Sequence, residues 1–583
     1  MKKQKHDYLL LAGLTVAALF VHGYHYGAED QAIYLPAIRK LLDPSLYPHD
    51  SELFLPQTSA TMFGPVIAFT VRYAPLAFAG LIVLLCLLLT FLILLSCLKL
   101  AERLFREPDA KWVGTRLVAS LLTIPVAGMA FFIIDKSFYA PQTNERLIDK
   151  LIVFAAHYGH LSLSAVVFIF YVLSLYLVLL GCLMLLRRLF HERSAQWAGV
   201  CMVAALLTIP VAGTALYIVD EYLHPRAFST FALLFAVLAV FPGETPEEPV
   251  NRSRLRLRHY LWMVFWLAFA ALFQIQMAFY GALLLAFLLI KMPRRSETMA
   301  TAAILPLRSL FEPGSAAWQK AAQTRTDDYL LQWHWYEWLG IVAPLAMLEW
   351  FRRLARRHNL PRVEYLSHRL MLFGLFGFAA GLVVSIPPAL DRLTPYQPMR
   401  TFHMLYLLFF LMAGALIGKW ILRKSLWRWL ALFVPLSLGM CYAQLQLYPG
   451  SPHIEWPGVR DPNPWVQAFL WVRHNTPKNA YFALDRHFME LPGEDFHGFR
   501  AFAERSQMAD VVKDPGVVTL FPNAGNTWLK QVTALKGWNK FTPKDFQRLK
   551  QNFGVNWVVV QQPGVPGLDC PYQNSRVRVC RIE

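Results

Sequence analysis

The chain has 583 residues, of which 56% are hydrophobic and only 16% are charged, a composition that excludes a soluble multidomain protein. Apolar runs long enough to cross a bilayer recur along its length, which indicates a polytopic membrane protein. The formal net charge of +18 does not indicate nucleic-acid binding, because the basic residues cluster at the ends of apolar segments. Such clusters are typical of cytoplasmic loops in membrane proteins.

The apolar segments predict a mainly α-helical membrane bundle. A basic start followed by the apolar segment 8–24 predicts an uncleaved first helix that leaves the cytoplasm. When basic loops are placed inside, the chain makes about thirteen crossings, with a cytoplasmic N-terminus and an extracytoplasmic C-terminus. The crossings after the first are 77–98, 113–134, 162–186, 197–219, 226–241, 259–273, 275–290, 297–311, 333–350, 365–387, 401–420 and 428–446. The stretch 259–311 can also be divided differently.

The first predicted outer loop, 24–76, opens with an acidic pair, Glu29 and Asp30, followed by a short amphipathic segment. Apolar residues recur there near helical spacing, so this segment can lie on the membrane surface. A carboxylate at that depth can serve as a general base, because partial desolvation raises its pKa toward a useful value. Alternatively, Asp30 caps the following helix, which its position also suits.

An internal repeat covers residues 50–134 and 135–219. Asp50, Asp135 and Asp220 are spaced 85 residues apart, and the sequence LLTIPVAG at 121–128 recurs unchanged at 206–213. Agreement over a whole unit indicates a tandem duplication. Each unit carries two spans, so the repeat predicts that all three aspartates lie outside. The extra copy can also be structural padding.

The predicted transmembrane domain covers 1–446, and the composition changes after it. Residues 447–583 contain Pro/Gly turns, short β-rich runs at 481–485, 517–521 and 555–561, and helical patterns near 464–474, 525–536 and 543–553. This alternation predicts a small extracytoplasmic α/β domain. Cys570 and Cys580 lie in this domain, and export to an oxidising compartment would let them form a disulfide.

The predicted architecture resembles that of the GT-C superfamily of membrane glycosyltransferases, whose first outer loop often carries Asp-Glu-x-x-Tyr. Here the matching residues are Asp30 and Tyr34; Gln31 departs from the pattern, and an additional acid, Glu29, precedes it. The resemblance, which is to a bacterial branch of these enzymes, implies a multi-pass protein of the bacterial inner membrane. It implies transfer of a hexose or pentose from a polyprenyl-phosphate donor to a glycan, lipid or protein acceptor on the outer face. Asp30 would then be the base and Glu29 its support.

A phosphate leaving group needs cations on the same side of the membrane, and arginine can donate two hydrogen bonds to it. Arg226 and Arg400 lie at outer ends of predicted spans and could clamp the phosphate, with His224 assisting, although each could instead anchor its helix at the interface. Trp335 could stack on a sugar ring, but aromatic residues at such positions usually form an interface belt. Glu29 and Asp30 could hold a divalent metal; no other cofactor is implied.

The alternative to a glycosyltransferase is a transporter or flippase of lipid-linked envelope intermediates, or a non-catalytic partner of such a system. A coupled transporter usually buries ionisable residues in the middle of its spans, and most predicted spans here carry none. No G-x-G-x-x-G, P-loop or paired Cys/His spacing is present in the sequence. The lack of a nucleotide-binding motif fits a lipid-linked donor better than a nucleotide sugar.

Overall fold

A computed structural model describes residues 2–73, 162–242, 255–290, 314–386 and 388–583. The chain divides into two compact units, one formed by Met1–Pro65 with Val167–Glu583 and the other by Val66–Val166. The first unit contains both the helical bundle and the C-terminal sheet.

The bundle is built largely from apolar helices. Its helices in the described residues are α1 (Lys2–His22), α2 (Gln31–Leu42), α3 (Leu55–Ser59), α4 (Leu163–Leu189), α5 (Arg193–Ala205), α6 (Pro225–Leu238), α7 (Leu257–Phe273), α8 (Ile275–Leu289), α9 (Ala316–Gln323), α10 (Trp335–Arg357), α11 (Pro361–Ser385), α12 (Thr401–Ile417) and α13 (Leu426–Leu447). Four helical stretches there are long and apolar enough to cross a membrane, namely α4, α11, α13 and Leu390–Leu422, which contains α12. These helices are consistent with a membrane protein.

The predicted count of thirteen crossings stays a prediction, because the segments 77–98, 113–134 and 297–311 lie outside the described residues. The predicted span 197–219 is wrong in its extent. Helix α5 ends at Ala205, and residues 206–224 follow as turns and irregular structure. Pro210 supplies no backbone N–H, and Gly213 has a φ of +57°, so the helix cannot continue through them. The apolar character of this stretch reflects burial inside the protein, since Leu207, Val211, Leu216 and Ile218 are all buried.

Helices α5 and α12 pack closely through small residues. A Cβ atom added at Gly414 would lie 2.5 Å from the Cβ of Met202 and 2.6 Å from the carbonyl oxygen of Ala198. One added at Gly418, the next turn of the same face, would lie 2.4 Å from the carbonyl oxygen of Ser194. Glycines four residues apart let two helix backbones approach, a common device in membrane bundles.

Charged residues collect at the end of the bundle where α1 begins. Arg187 and Arg193 both donate hydrogen bonds to Asp7, and Lys419 pairs with Glu192. Arg362 donates to the carbonyl oxygens of Arg188 and Pro242, each at 3.0 Å. This end therefore joins the start of α1 to the turns that follow α4 and α6.

The C-terminal domain packs against the opposite end. Its helices are α14 (Pro464–Asn475), α15 (Phe499–Ala503), α16 (Asp514–Leu520), α17 (Gly525–Ala534) and α18 (Pro543–Phe553), and its strands are β1 (Tyr481–Ala483), β2 (Ser506–Gln507), β3 (Trp557–Gln561), β4 (Asp569–Gln573) and β5 (Val577–Arg581). The sheet order is β2-β1-β3-β5-β4; the first three strands are parallel, and β5 runs antiparallel to β3 and β4. A disulfide joins Cys570 of β4 to Cys580 of β5.

One predicted strand of this domain is wrong. The run 517–521 lies in the helix α16 and the residue that follows it. Pro515 stands in the first turn of α16, where its missing N–H is not needed, and Val517 and Val518 are buried. A short apolar run cannot by itself distinguish a buried strand from a buried helix.

Candidate active site

The loop between α1 and α2 is held in place by the backbone of the C-terminal domain. The carbonyl oxygens of Tyr24 and Gly27 accept hydrogen bonds from the N–H groups of Glu455 and Gly498, at 2.9 and 3.0 Å. The N–H of Glu29 donates to the carbonyl oxygen of Phe496 at 2.9 Å. These bonds fix the path of the chain directly before the acidic pair, so the C-terminal domain determines where Glu29 and Asp30 lie.

Asp30 pairs with two basic side chains instead of capping α2. Its side chain makes no capping hydrogen bond, and its own backbone is already helical, with φ −67° and ψ −15°. One carboxylate oxygen lies 3.2 Å from the Nζ atom of Lys513, and the other lies 3.3 Å from the Nε2 atom of His224. Lys513 also binds Glu29, so this lysine of the C-terminal domain bridges both acids.

The direction of the pKa shift of Asp30 contradicts the expectation from the sequence. Desolvation would raise the pKa of Asp30, but the charge of Lys513, the hydrogen bond from His224 and the charge of Arg226 together hold it well below its usual value. Desolvation lowers the pKa of Lys513, yet Glu29 and Asp30 raise it above its usual value. The contact is therefore an ion pair between an ammonium group and two carboxylates.

His224 and Arg226 stand at the start of α6, where His224 is the N-cap. The Nδ1 atom of His224 accepts a hydrogen bond from the N–H of Arg226 at 2.9 Å, which leaves the Nε2–H to face Asp30. The Arg226 guanidinium forms a forked ion pair with Asp220, at 2.8 Å from Oδ1 and 3.0 Å from Oδ2, and both side chains are only 3% exposed. The guanidinium of Arg226 is therefore already paired with the buried carboxylate of Asp220.

Arg400 has no carboxylate within ion-pair distance among the described residues. Its guanidinium donates to the amide oxygen of Gln276 at 2.8 Å and to that of Gln397. Nearby, Arg325 pairs with Asp327 at 3.0 Å and with Asp328 at 3.2 Å. A half-buried guanidinium held only by neutral amides keeps its full positive charge, which makes Arg400 the best candidate here for an anionic group of a ligand.

Tyr34 belongs to the same cluster, but Trp335 does not. The Tyr34 ring meets the His224 ring edge-on at 5.3 Å, and its hydroxyl accepts a hydrogen bond from Gln57 at 3.4 Å. Burial, followed by the charge of Asp30, raises the pKa of Tyr34 to about 12, so the phenol stays neutral. The Trp335 side chain is 77% exposed and contacts the ring of Tyr336, an arrangement that fits an interface belt rather than a sugar-binding site.

Two residues of this cluster, Lys513 and Arg325, are not predicted from the sequence. Arg325 stands in the run Arg-Thr-Asp-Asp, in a predicted outer segment. This concentration of charge is a signal in the sequence that could indicate the site. Lys513 stands in a polar turn before α16, and the surrounding sequence contains no motif that indicates a functional role for it. Its contact with Glu29 spans 484 positions of the chain, and only the folded structure shows it.

No family model matches the chain, and no curated protein matches its sequence. The chemistry of the site is therefore inferred from its own residues. They comprise an ionised acidic pair, a lysine that bridges it, a neutral histidine, and an arginine without a carboxylate partner. Such a set can bind a phosphate and take a proton from a hydroxyl group.

Proposed function

We propose that the protein is an integral membrane glycosyltransferase of the GT-C kind, acting at the outer face of the bacterial inner membrane. It would transfer a sugar from a polyprenyl-phosphate donor to a hydroxyl of a glycan, lipid or protein acceptor. The observation that carries this proposal is the contact of Glu29 and Asp30 with Lys513 and His224 at one end of the bundle, next to Tyr34, which lies within electrostatic reach of Arg400. A carboxylate that can accept a proton, together with cations that can bind phosphate, suits a reaction that moves a proton and releases a phosphate.

In the proposed reaction, the acceptor hydroxyl attacks the anomeric carbon of the donor sugar. The bond from that carbon to the phosphate oxygen breaks, and Asp30 takes the hydroxyl proton. The released polyprenyl phosphate carries one more negative charge than the donor did. Arg400 would stabilise this charge, since its guanidinium is held by neutral amides and no carboxylate of the described residues lies within ion-pair distance of it.

Lys513 would couple the binding of the donor to the activation of the base. While it bridges Glu29 and Asp30, it keeps the pKa of Asp30 low and so makes this carboxylate a weak base. A donor phosphate would attract the ammonium group of Lys513 away from Asp30. The pKa of Asp30 would then rise toward its ordinary value, which favours proton transfer.

The proposed reaction uses no metal at the acidic pair. Glu29 and Asp30 already share the positive charge of Lys513, and a divalent cation at the same oxygens would have to displace it. The buried Arg226 likewise serves as a support, because Asp220 occupies its fork. It would hold His224 and thereby orient Asp30.

The direct test is a screen of donors. Purified protein in detergent would be incubated with radiolabelled polyprenyl-phosphate sugars, with and without acceptor extracts, and label transferred to acceptor would be counted. Arg400→Gln should lower transfer by roughly 10²–10³-fold if its guanidinium stabilises the departing phosphate. The matched control is Arg460→Gln, which removes an exposed arginine of the C-terminal domain and should leave transfer unchanged.

The same labelled donors separate the proposal from its alternative. In liposomes, a flippase would move intact donor across the bilayer without breaking the sugar–phosphate bond. Movement of intact donor without any transfer to an acceptor would overturn the proposed glycosyltransferase and favour transport of lipid-linked intermediates.

A further inference from the structure

A second buried cluster lies where the first loop meets the C-terminal domain. The Oε1 atom of Glu455 is 3.0 Å from the Nδ1 atom of His25 and 3.0 Å from the Nε2 atom of His497. The other oxygen, Oε2, accepts the backbone N–H of Tyr26 at 3.0 Å. One ligand atom each from Glu455, Asp461 and His497 lies within 4.8 Å of the other two.

The ring of His497 is oriented as metal-binding histidines usually are. Its Nδ1 atom lies 2.8 Å from the carbonyl oxygen of Glu494 and donates to it. This bond leaves the Nε2 atom directed at the Glu455 carboxylate. In metal sites, a histidine typically donates its far ring nitrogen to a backbone carbonyl or carboxylate in this way, which fixes the ring and the tautomer.

A further buried acid, Glu494, lies beside the cluster. Glu494 is fully buried, interacts electrostatically with His497, and has no hydrogen-bond partner for either carboxylate oxygen in the described structure. Across the described ranges, no lysine or arginine pairs with Glu455, Asp461, Glu494 or the neighbouring Asp495. The basic group of this domain that faces Glu455 is therefore His497, and a divalent cation bound to both residues would take the place of the proton between them.

We infer that Glu455, Asp461 and His497 bind a divalent transition-metal ion of the Zn²⁺ class. One imidazole nitrogen and two carboxylate oxygens form a set of three protein ligands that suits zinc, whereas an all-oxygen set would suit calcium or magnesium. The 3.0 Å between Glu455 and His497 is close to the spacing of about 3.3 Å expected for two ligands on one tetrahedral zinc ion. The site is separate from Glu29 and Asp30 and does not depend on the proposed function.

The ion would be structural. Glu455 also holds the side chain of His25 and the N–H of Tyr26, so an ion bound to it connects the first loop to the C-terminal domain. Metal binding would therefore stabilise the fold and steady the loop that carries the acidic pair.

The test uses the full chain purified in detergent, stripped with a chelator and then titrated with ZnCl₂. Elemental analysis should give about one zinc ion per chain, and the thermal unfolding temperature should rise on zinc addition and fall again on chelation. Asp461→Asn, which leaves the contact of Glu455 with His497 intact, should weaken zinc binding by more than about tenfold. His497→Gln should abolish it.

The control is Glu490→Gln, which alters the exposed contact of His487 with Glu490 in the same domain and should leave the zinc content unchanged. Because His497→Gln can disturb folding, Asp461→Asn is the decisive variant. The inference fails if wild-type protein neither retains zinc nor is stabilised by it, or if Asp461→Asn binds zinc as tightly as wild type. Stabilisation by CaCl₂ or MgCl₂ but not by ZnCl₂ would overturn the assignment of the ion.

Discussion

At the scale of single residues, Asp30 shows how a folded environment decides between two roles that a sequence allows. The capping role requires an extended backbone at Asp30 and a bond from its side chain to an N–H of the next turn. Asp30 has a helical backbone and makes no such bond. Its oxygens instead face Lys513 and His224, two groups distant in sequence.

Asp30→Asn should lower transfer activity by roughly 10²–10⁴-fold, because the amide cannot accept the hydroxyl proton. Asp30→Ala should lower activity similarly. Its free energy of unfolding should match that of Asp30→Asn, without the additional loss of about 1 kcal/mol that removal of a helix cap would cause. Activity would be measured with the labelled donor, and stability by thermal unfolding. Glu29→Gln is the comparison; a larger loss of activity there would identify Glu29 as the base.

Glu221 gives a prediction about pH that is independent of catalysis. It is fully buried, its Oε1 atom accepts a hydrogen bond from Tyr448 at 2.5 Å, and its Oε2 atom has no partner in the described structure. Burial, more than any neighbouring charge, raises the pKa of Glu221 from 4.5 to about 8. The carboxyl is thus neutral in the folded protein under conditions in which it ionises in the unfolded chain.

Because the folded pKa of Glu221 is the higher one, its contribution to stability is complete below pH 4.5 and is lost as the pH rises to about 8. The loss amounts to at most about 1.4 kcal/mol per pH unit in that window. Glu221→Gln removes the titration, so its unfolding temperature should exceed that of wild type by a margin that grows from pH 5 to pH 8. A margin that does not change with pH would contradict the assignment.

At the scale of elements, the contact between α5 and α12 depends on glycines rather than on large apolar side chains. The backbones approach so closely that a Cβ atom on Gly414 has no room. Gly414 and Gly418 stand four residues apart, a spacing visible in the sequence. The sequence does not reveal the partner, however, because α5 lies about 200 positions earlier in the chain.

Gly414→Ala should therefore destabilise the protein by about 1–3 kcal/mol, the usual cost of overpacking a tight interior. Gly439→Ala is the matched control, since it changes a glycine of α13 that has no atom within 4 Å of an added Cβ. It should be neutral or stabilising by up to about 1 kcal/mol, because alanine favours the helix more than glycine does. Equal unfolding temperatures for the two variants would refute the close packing of α5 on α12.

At the scale of the whole molecule, local patterns in the sequence predict individual helices and strands. They do not predict which distant residues come into contact. Apolar runs give the positions of α4, α11 and α13, and β-rich runs give β1 and β3, because each depends on neighbouring residues. The irregular stretch 206–224 resembles a span because burial in protein and burial in lipid select the same apolar residues. The candidate site is predictable in part: the sequence indicates Asp30, Tyr34, His224 and Arg226, whereas Lys513 reaches Asp30 only through folding.

The contacts at the two ends of the first compact unit predict how the protein is oriented in the membrane. Asp50 accepts hydrogen bonds from Tyr481 and, at 2.9 Å, from Gln531, so the first loop and the C-terminal domain must lie on one side. At the other end, Asp7 binds Arg187 and Arg193, and the positive-inside rule assigns such basic turns to the cytoplasm.

Reporter fusions after Asp50 and Pro449 should therefore show an extracytoplasmic location, and a fusion after Arg357 a cytoplasmic one. Because a fusion truncates the chain, intact protein offers a stricter test with single cysteines at two exposed positions, Ser45→Cys and Asn359→Cys. Ser45 neighbours Asp43, which pairs with Lys478 of the C-terminal domain at 2.6 Å, so it belongs to the predicted outer side. A membrane-impermeant maleimide added to intact cells should label Ser45→Cys, and should label Asn359→Cys only after the cells are opened. Labelling of both cysteines in intact cells would refute the assigned topology and, with it, the position of the site on the outer face.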